Sequence, residues 1–318
     1  MRILIVKMTS LGDVVHMLPA LTEAAACIPN LSADWVVEDA FAILPAWHPA
    51  VARVLPVALR RWRKRPFDAT VRAEFGAFRQ QLREARYDLI LDSQGLLKSA
   101  AIALLAQGPR AGLDRASARE PLASLTYARR YRAPRALHAI TRNRLLTAQA
   151  LGYAPGAEAD IRYGVAPPAT EAGLPARYLV ALHGTARAEK EYPEAAWLDL
   201  LARLDLPVLL PWGNDAEKAR AERLAARLPN VRVLPRLDLA QLGGILAGAR
   251  AVIGVDTGLM HLAAAFRRPG VGLYPATPPE RFGARAEPDA PALINLADPA
   301  AIAPARVAET LAHLLDSA

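Results

Sequence analysis

Ala251-Val252-Ile253-Gly254-Val255-Asp256-Thr257-Gly258-Leu259-Met260-His261 is five apolar residues, a polar turn, and the opening of a segment with helical period from Leu262 onward. A short apolar run bounded by a turn reads as a strand buried on both faces, the kind found in a parallel sheet covered by helices. The turn then leaves several unpaired N–H groups at a helix start on the carboxyl edge of that sheet. Such a start attracts a diphosphate through its backbone donors and its dipole, each interaction adding on the order of 0.3 to 2 kcal/mol. Thr257 and Gly258 would stand closest to it. A plainer alternative makes Asp256 an N-cap and His261 an ordinary helix residue.

The same alternation continues on both sides. Apolar segments at 178–183, 208–211, 231–234 and 271–274 are separated by stretches of helical period, so this half reads as a Rossmann-like domain. Its first strand runs into His183-Gly184-Thr185-Ala186-Arg187-Ala188-Glu189-Lys190, a polar loop at the same carboxyl edge. Lys190 can meet a phosphate as a point charge and Thr185 can donate a hydrogen bond to it. The next strand ends in Pro211-Trp212-Gly213, with Glu217 in the first turns of the following helix. A carboxylate there can accept both hydroxyls of a ribose, or simply answer the helix dipole.

Upstream, residues 152–175 carry Pro155, Pro167, Pro168, Pro175, Gly156, Gly164 and Gly173 without sustained periodicity, and read as an interdomain linker. The first half shows strands at 3–6, 35–38 and 89–92, and a helix whose Phe75, Phe78 and Leu82 form a stripe expected to face the sheet. Its first strand ends in Lys7-Met8-Thr9-Ser10-Leu11-Gly12-Asp13, followed by a helical pattern. Gly12 lets the backbone pass close to a bound group. Asp13 can cap that helix, stabilising it by about 1 kcal/mol, or take a proton from an attacking hydroxyl. Both roles stay open on local grounds.

A length of 318 residues suits two domains, expected at 1–165 and 166–300 with a final segment at 301–318, and two domains imply a cleft. Although 53% of residues are hydrophobic, no uncharged apolar run reaches the roughly 18 residues that cross a bilayer. Lys7 and Asp13 interrupt the apolar N-terminus, so a buried first strand is expected rather than a signal peptide. A single cysteine, Cys27, fits a reducing compartment, and a cytoplasmic location is expected. The net charge of +8 favours anionic partners, whether nucleic acid, phospholipid surface or phosphorylated substrate. Arg60-Arg61-Trp62-Arg63-Lys64-Arg65 concentrates five cations, with Arg119, Arg129, Arg130 and Arg132 in the same half. A basic run with an aromatic suits nucleic acid, yet no DNA- or RNA-binding motif accompanies it, and no nucleic-acid partner is expected. No Asp-X-Asp pair ends a strand and no His/Cys cluster has ligand spacing, so no metal is expected.

Taken together, the Lys7 to Asp13 loop, the Arg-Arg-Trp-Arg-Lys run, Gln94-Gly95-Leu96 to Lys98-Ser99-Ala100, Ala118-Arg119-Glu120-Pro121-Leu122-Ala123-Ser124, and Asp256-Thr257-Gly258 with His261 resemble the lipopolysaccharide heptosyltransferases of glycosyltransferase family 9. The basic run and the Ala-Arg-Glu-Pro segment point to members that add the first heptose. The resemblance implies an α/β GT-B fold of two Rossmann-like domains facing across a cleft, with a final helix near 302–315 packing back on the first domain. It also implies inverting transfer of L-glycero-D-manno-heptose from ADP-heptose, a substrate rather than a cofactor, to the first Kdo of Kdo2-lipid A. The acceptor would be met by peripheral contact at the inner face of the cytoplasmic membrane.

Carried onto matching positions, the resemblance makes Asp13 the general base. It puts Thr185, Ala186, Lys190, Trp212, Glu217, Asp256, Thr257, Gly258, Leu259 and His261 in the donor pocket. Ser10, Gly12, Arg60, Arg61, Arg63, Lys64, Gln94, Lys98 and Arg119 would meet the acceptor. The family often has two adjacent threonines in the His183 loop, where this chain has Thr185 followed by Ala186. Rival readings are a transferase of a later heptose, a sugar-nucleotide epimerase, and a basic nucleotide- or RNA-binding module.

Overall fold

Arg2–Val6, with Ile3, Leu4, Ile5 and Val6 wholly buried, forms strand β1. A strand without a polar face needs cover on both sides, and β1 accordingly lies inside a six-stranded parallel sheet. Its companions are β2 (Ser32–Glu38), β3 (Val51–Val57), β4 (Leu89–Asp92), β5 (Arg110–Leu113) and β6 (Arg129–Tyr131). The order is β3-β2-β1-β4-β5-β6, and Ile5 sits in register with Trp35 on one side and Leu91 on the other.

A second sheet repeats the plan with β7 (Leu179–Leu182), β8 (Val208–Leu210), β9 (Val231–Val233), β10 (Ala251–Val255), β11 (Gly270–Leu273) and β12 (Leu293–Leu296). Its order is β12-β11-β10-β7-β8-β9; read from the β9 end and counted from its own first strand, this is again third-second-first-fourth-fifth-sixth. Both are doubly wound sheets whose connections reverse direction between the first and fourth strands, where such folds bind ligands. The computed structural model describes residues 1–170 and 173–317, in two units, Met1–Val165 and Ala166–Ala318.

Local chemistry starts and stops the covering helices. Asp68 accepts from the Thr70 and Val71 N–H groups to open Ala69–Arg83, and Asn214 accepts from the Glu217 N–H to open Asp215–Ala225. Helix Ala139–Leu151 ends on Gly152 at φ +82°, the left-handed conformation glycine tolerates best. Val71, Phe78 and Leu82 bury the apolar stripe of Ala69–Arg83 with Leu4, Val6 and Trp62. In the second unit Trp197, Leu200, Ile253 and Leu273 form the equivalent core. Each such side chain stabilises by roughly 1.5 to 3 kcal/mol.

Three expectations need correcting. Phe75 is 38% exposed; it flanks the buried stripe and meets Trp62 edge-on at 5.7 Å between ring centroids. The final helix, Pro304–Ser317, belongs to the second unit, because Val307, Leu311 and Leu314 complete that unit's core against β11 and Glu194–Ala202. Strands β3, β5, β6 and β12 were not anticipated. β3, β6 and β12 are sheet edges; Arg53 and Pro56 interrupt the apolar pattern of β3, Arg110 that of β5, and Arg129 and Arg130 that of β6.

Candidate functional site

The first unit gathers its polar residues at the carboxyl edge beside the switch between β1 and β4. After β1 the chain turns through Lys7 to Ser10 into the short helix Leu11–Val15, with Ser10 as N-cap. Asp13 Oδ2 accepts from the Ser10 N–H at 2.7 Å and the Ser10 hydroxyl at 3.1 Å. Both bonds fall on one oxygen, so capping fixes the carboxylate's orientation and leaves Oδ1 to accept a proton. The two sequence readings of Asp13 are therefore compatible. Gly12 is buried.

Gln94, after β4, braces this loop. Its side-chain oxygen accepts from the Met8 N–H at 2.8 Å and the Thr9 N–H at 3.1 Å, and its Nε2 donates to the Thr9 carbonyl at 2.5 Å. Its amide thus holds the backbone four and five residues before Asp13. Lys98 Nζ reaches the Thr9 hydroxyl at 3.3 Å. Asp92, fully buried at the end of β4, folds the Gln94 turn by accepting from the Gln94 and Gly95 N–H groups and from the Tyr127 hydroxyl. Burial pushes the Asp92 carboxyl upward, against the lowering effect of those donors. Gly95 stands at φ +65°, where a β-carbon would also press on Leu113 at 3.3 Å.

Lys7, the first residue of the loop after β1, is buried and donates to the Ser93 carbonyl at 2.9 Å. Burial holds its ammonium below the usual lysine range, with Asp13 and Asp92 opposing the shift and Arg142 adding to it. A lysine placed directly after a buried strand was the available signal.

The basic run is tied to the same edge. The Glu38 N–H donates to the Met8 carbonyl, and Glu38 Oε1 accepts from the Arg60 N–H at 3.2 Å. Trp62 is only 8% exposed and donates through Nε1 to Glu74, which also pairs with Arg61 at 2.7 Å. The aromatic in this run is thus a core anchor that cannot stack on a base, and Arg61 carries its own counter-charge. Arg60, Arg63 and Lys64 remain exposed. Arg119 is also exposed, and its neighbour Glu120 binds the Gly95 carbonyl through its N–H and the Leu97 N–H through its carboxylate. That places Arg119 beside the Gln94 turn.

In the second unit the loops after β7 and β10 meet. The Thr185 hydroxyl donates to the Asp256 carbonyl at 3.0 Å, and Lys190 Nζ lies 2.5 Å from Asp256 Oδ2. Asp256 thereby holds the His183 loop against the head of helix Gly258–Ala265, capped by Thr257 without a side-chain hydrogen bond. Thr257, Gly258 and Leu259 are partly exposed at that head, while His261 is buried one turn in. Ala186 is exposed.

Glu217 Oε2 accepts from the Gly213 N–H at 2.7 Å, and its carboxylate lies over Gly184, where a β-carbon would come within 2.5 Å of Glu217 Cδ. Glycine at 184 is therefore what lets Glu217 reach the β7 loop. Trp212 donates to the Leu234 carbonyl at 2.7 Å and carries Lys218 Nζ 5.5 Å from its ring centre. His183 is wholly buried; burial first, then Arg220, lowers its pKa to about 4, so it is neutral near pH 7. Among the described residues no three His, Cys, Asp or Glu side chains form a metal-ligand group, and no helix is long and apolar enough to cross a membrane.

Comparison with known proteins adds chemistry to these two edges. The model of glycosyltransferase family 9 (heptosyltransferase) matches residues 75–300. Lipopolysaccharide heptosyltransferase 1 of Pseudomonas aeruginosa is 53% identical over 289 residues, 89% of this chain and 81% of that protein. Among solved structures, E. coli heptosyltransferase WaaC with ADP has a TM-score of 0.88 at 42% identity, covering 100% of this chain and 99% of that one. The same protein with ADP-2-deoxy-2-fluoro heptose has a TM-score of 0.83 at 41% identity, with the same coverage.

Proposed function

This chain belongs to glycosyltransferase family 9, the heptosyltransferases, and from that premise we propose how its own residues carry out the transfer. It is a GT-B glycosyltransferase of lipopolysaccharide biosynthesis that uses ADP-heptose. The acceptor is the first Kdo of Kdo2-lipid A, in keeping with the relatives named heptosyltransferase 1.

The observation that carries the assignment of roles is the junction at Asp256, where a hydroxyl, an ammonium and a helix start converge on the switch point of the second sheet. The diphosphate of the donor takes the N–H groups of Gly258 and Leu259, and the Thr185 hydroxyl turns from the Asp256 carbonyl to donate to it. Lys190 keeps one donor toward Asp256 and has two left for phosphate oxygens. Glu217 accepts from the ribose hydroxyls.

In the reaction the acceptor hydroxyl attacks the anomeric carbon and the bond from that carbon to the diphosphate oxygen breaks. One displacement inverts the centre. Asp13 takes the hydroxyl proton, a role typically contributing about 10²- to 10⁴-fold in rate. Charge grows on the departing diphosphate, so the helix start and Lys190 stabilise the transition state more than the bound donor. No metal ion or organic cofactor enters this scheme.

Arg60, Arg63, Lys64 and Arg119 hold the phosphates and carboxylates of the acceptor, with Arg61 weaker because Glu74 already pairs with it. Phe67, 90% exposed two residues after the basic run, supports peripheral contact with the inner face of the cytoplasmic membrane. The test is mass spectrometry of Kdo2-lipid A incubated with ADP-heptose in excess EDTA. Wild type adds one heptose, Asp13→Asn slows turnover by about 10²-fold or more with ADP affinity unchanged, and a fully active variant or an EDTA-silenced wild type refutes the scheme.

A further inference from the structure

Four arginines surround a cavity of about 280 Å³ at the amino edge of the second sheet, the edge away from Asp256. Arg177 precedes β7, Arg250 precedes β10, and Arg267 and Arg268 precede β11; Pro269 and Pro291 complete the wall. The heptosyl transfer described above uses none of them.

Their charges are unevenly met. Arg267 takes both nearby carboxylates, Glu287 at 3.1 Å and Asp289 at 3.3 Å. Arg250 and Arg268 bind neutral carbonyls, of Leu315 and Phe266 respectively, and Arg250 Nε is buried without a hydrogen-bond partner. Arg177 forms no ion pair among the described residues. Among the described residues two acidic groups thus stand against four arginines, and Arg177, Arg250 and Arg268 form no ion pair. Burial holds Arg268 below the usual arginine range, and Arg250 and Arg267 press it further in that direction.

The backbone adds an independent sign. Arg267 follows the end of helix Gly258–Ala265 at φ +59°, and the Arg268 N–H closes the turn onto the Ala263 carbonyl at 3.0 Å. Glycine or asparagine adopts this left-handed helix end with less strain. An arginine is nevertheless held there, in the wall of the cavity.

We propose that this arginine-lined cavity is a second anion site, built for a phosphate group carried by a small molecule or a lipid headgroup. Guanidinium forks match phosphate oxygens two at a time, and a dianion offsets the repulsion among Arg177, Arg250 and Arg268. The volume admits a phosphate with a small attached group and excludes a whole nucleotide sugar.

The experiment uses the full chain saturated with ADP, so that the donor site is occupied, and titrates inorganic phosphate by calorimetry against sodium chloride of matched ionic strength. Arg177→Gln, Arg268→Gln and the double variant are compared with wild type, and ADP binding reports that each is folded. Each lost charge-assisted bond weakens binding by roughly ten- to a hundredfold, so the double variant should lose measurable phosphate binding while keeping ADP affinity and heptosyl transfer. Cosedimentation with phosphatidylglycerol vesicles, against phosphatidylcholine alone, separates the sources. Vesicle binding that falls in the double variant marks a lipid headgroup, and a variant effect on free phosphate alone marks a soluble phosphate. Phosphate and vesicle binding that are absent in wild type, or unchanged in all three variants, overturn the proposal.

Discussion

Gln94→Met is the substitution that most directly tests how Asp13, the proposed base, is held. Methionine matches the length of glutamine but makes none of its three bonds to Met8 and Thr9, at 2.8, 3.1 and 2.5 Å. At about 1 kcal/mol each, their loss removes up to about 3 kcal/mol of restraint on the loop, less where water reaches the partly buried groups. The loop runs straight into Ser10 and Asp13, and displacement of a catalytic group by about 1 Å costs roughly 10²-fold. The expected result is a kcat lowered roughly ten- to a hundredfold, with donor KM unchanged because the proposed donor contacts lie in the second unit. Gln94→Glu keeps the two acceptor bonds but sets a carboxylate oxygen against the Thr9 carbonyl, so it should lower kcat as well. Steady-state kinetics with both substrates varied is the assay. A wild-type kcat in Gln94→Met, or a loss confined to acceptor KM, would refute the bracing role; the second outcome is what a direct acceptor contact produces.

Gly184→Ala drives a methyl group to within 2.5 Å of Glu217 Cδ, so the carboxylate must leave the Gly213 N–H; donor KM should rise roughly tenfold while acceptor KM holds, and an unchanged donor KM would remove Glu217 from the ribose site. Lys190→Met or Asp256→Asn alone strands a largely buried charge or its partner and should lower stability by about 2 kcal/mol, whereas the double variant should regain most of the melting temperature without regaining donor affinity. Simply additive melting temperatures would show that the two are not coupled. His48 and His183 both have folded pKa values lowered from 6.5 to about 4, chiefly by burial. Between those values the unfolded chain binds protons that the folded chain does not, so stability is complete above about pH 6.5 and is lost as pH falls toward 4, by up to about 3 kcal/mol for each histidine. His48 accepts the Ala50 N–H on Nδ1 and so offers an Nε2–H to Thr22 at 2.9 Å; His48→Gln should flatten this acid limb in denaturant titrations, and an unaltered slope would exclude it.

How far the sequence carries can be judged element by element. β1, β2, β4, β7 and β10 were legible because a buried parallel strand announces itself in its own few residues. The strands that escaped notice include three sheet edges, where partial exposure admits arginine and proline and blurs the pattern. The polar loops were legible for a similar reason: in a doubly wound sheet, whatever follows an inner strand arrives at the ligand-binding edge.

Sequence by itself therefore determined the two-sheet α/β plan and the sets of residues delivered to each carboxyl edge, since strand period and turn chemistry depend on neighbours a few positions apart. Only the tertiary structure decided what those side chains do there. It set Gln94 on a backbone 85 residues away, buried Trp62 beneath a run that looked fit for stacking, bound Lys190 to Asp256, and packed the last helix into the second unit's core. Each of these depends on which groups satisfy one another at long range in the chain, and hydrogen-bond saturation and core packing leave no periodic trace in the local sequence.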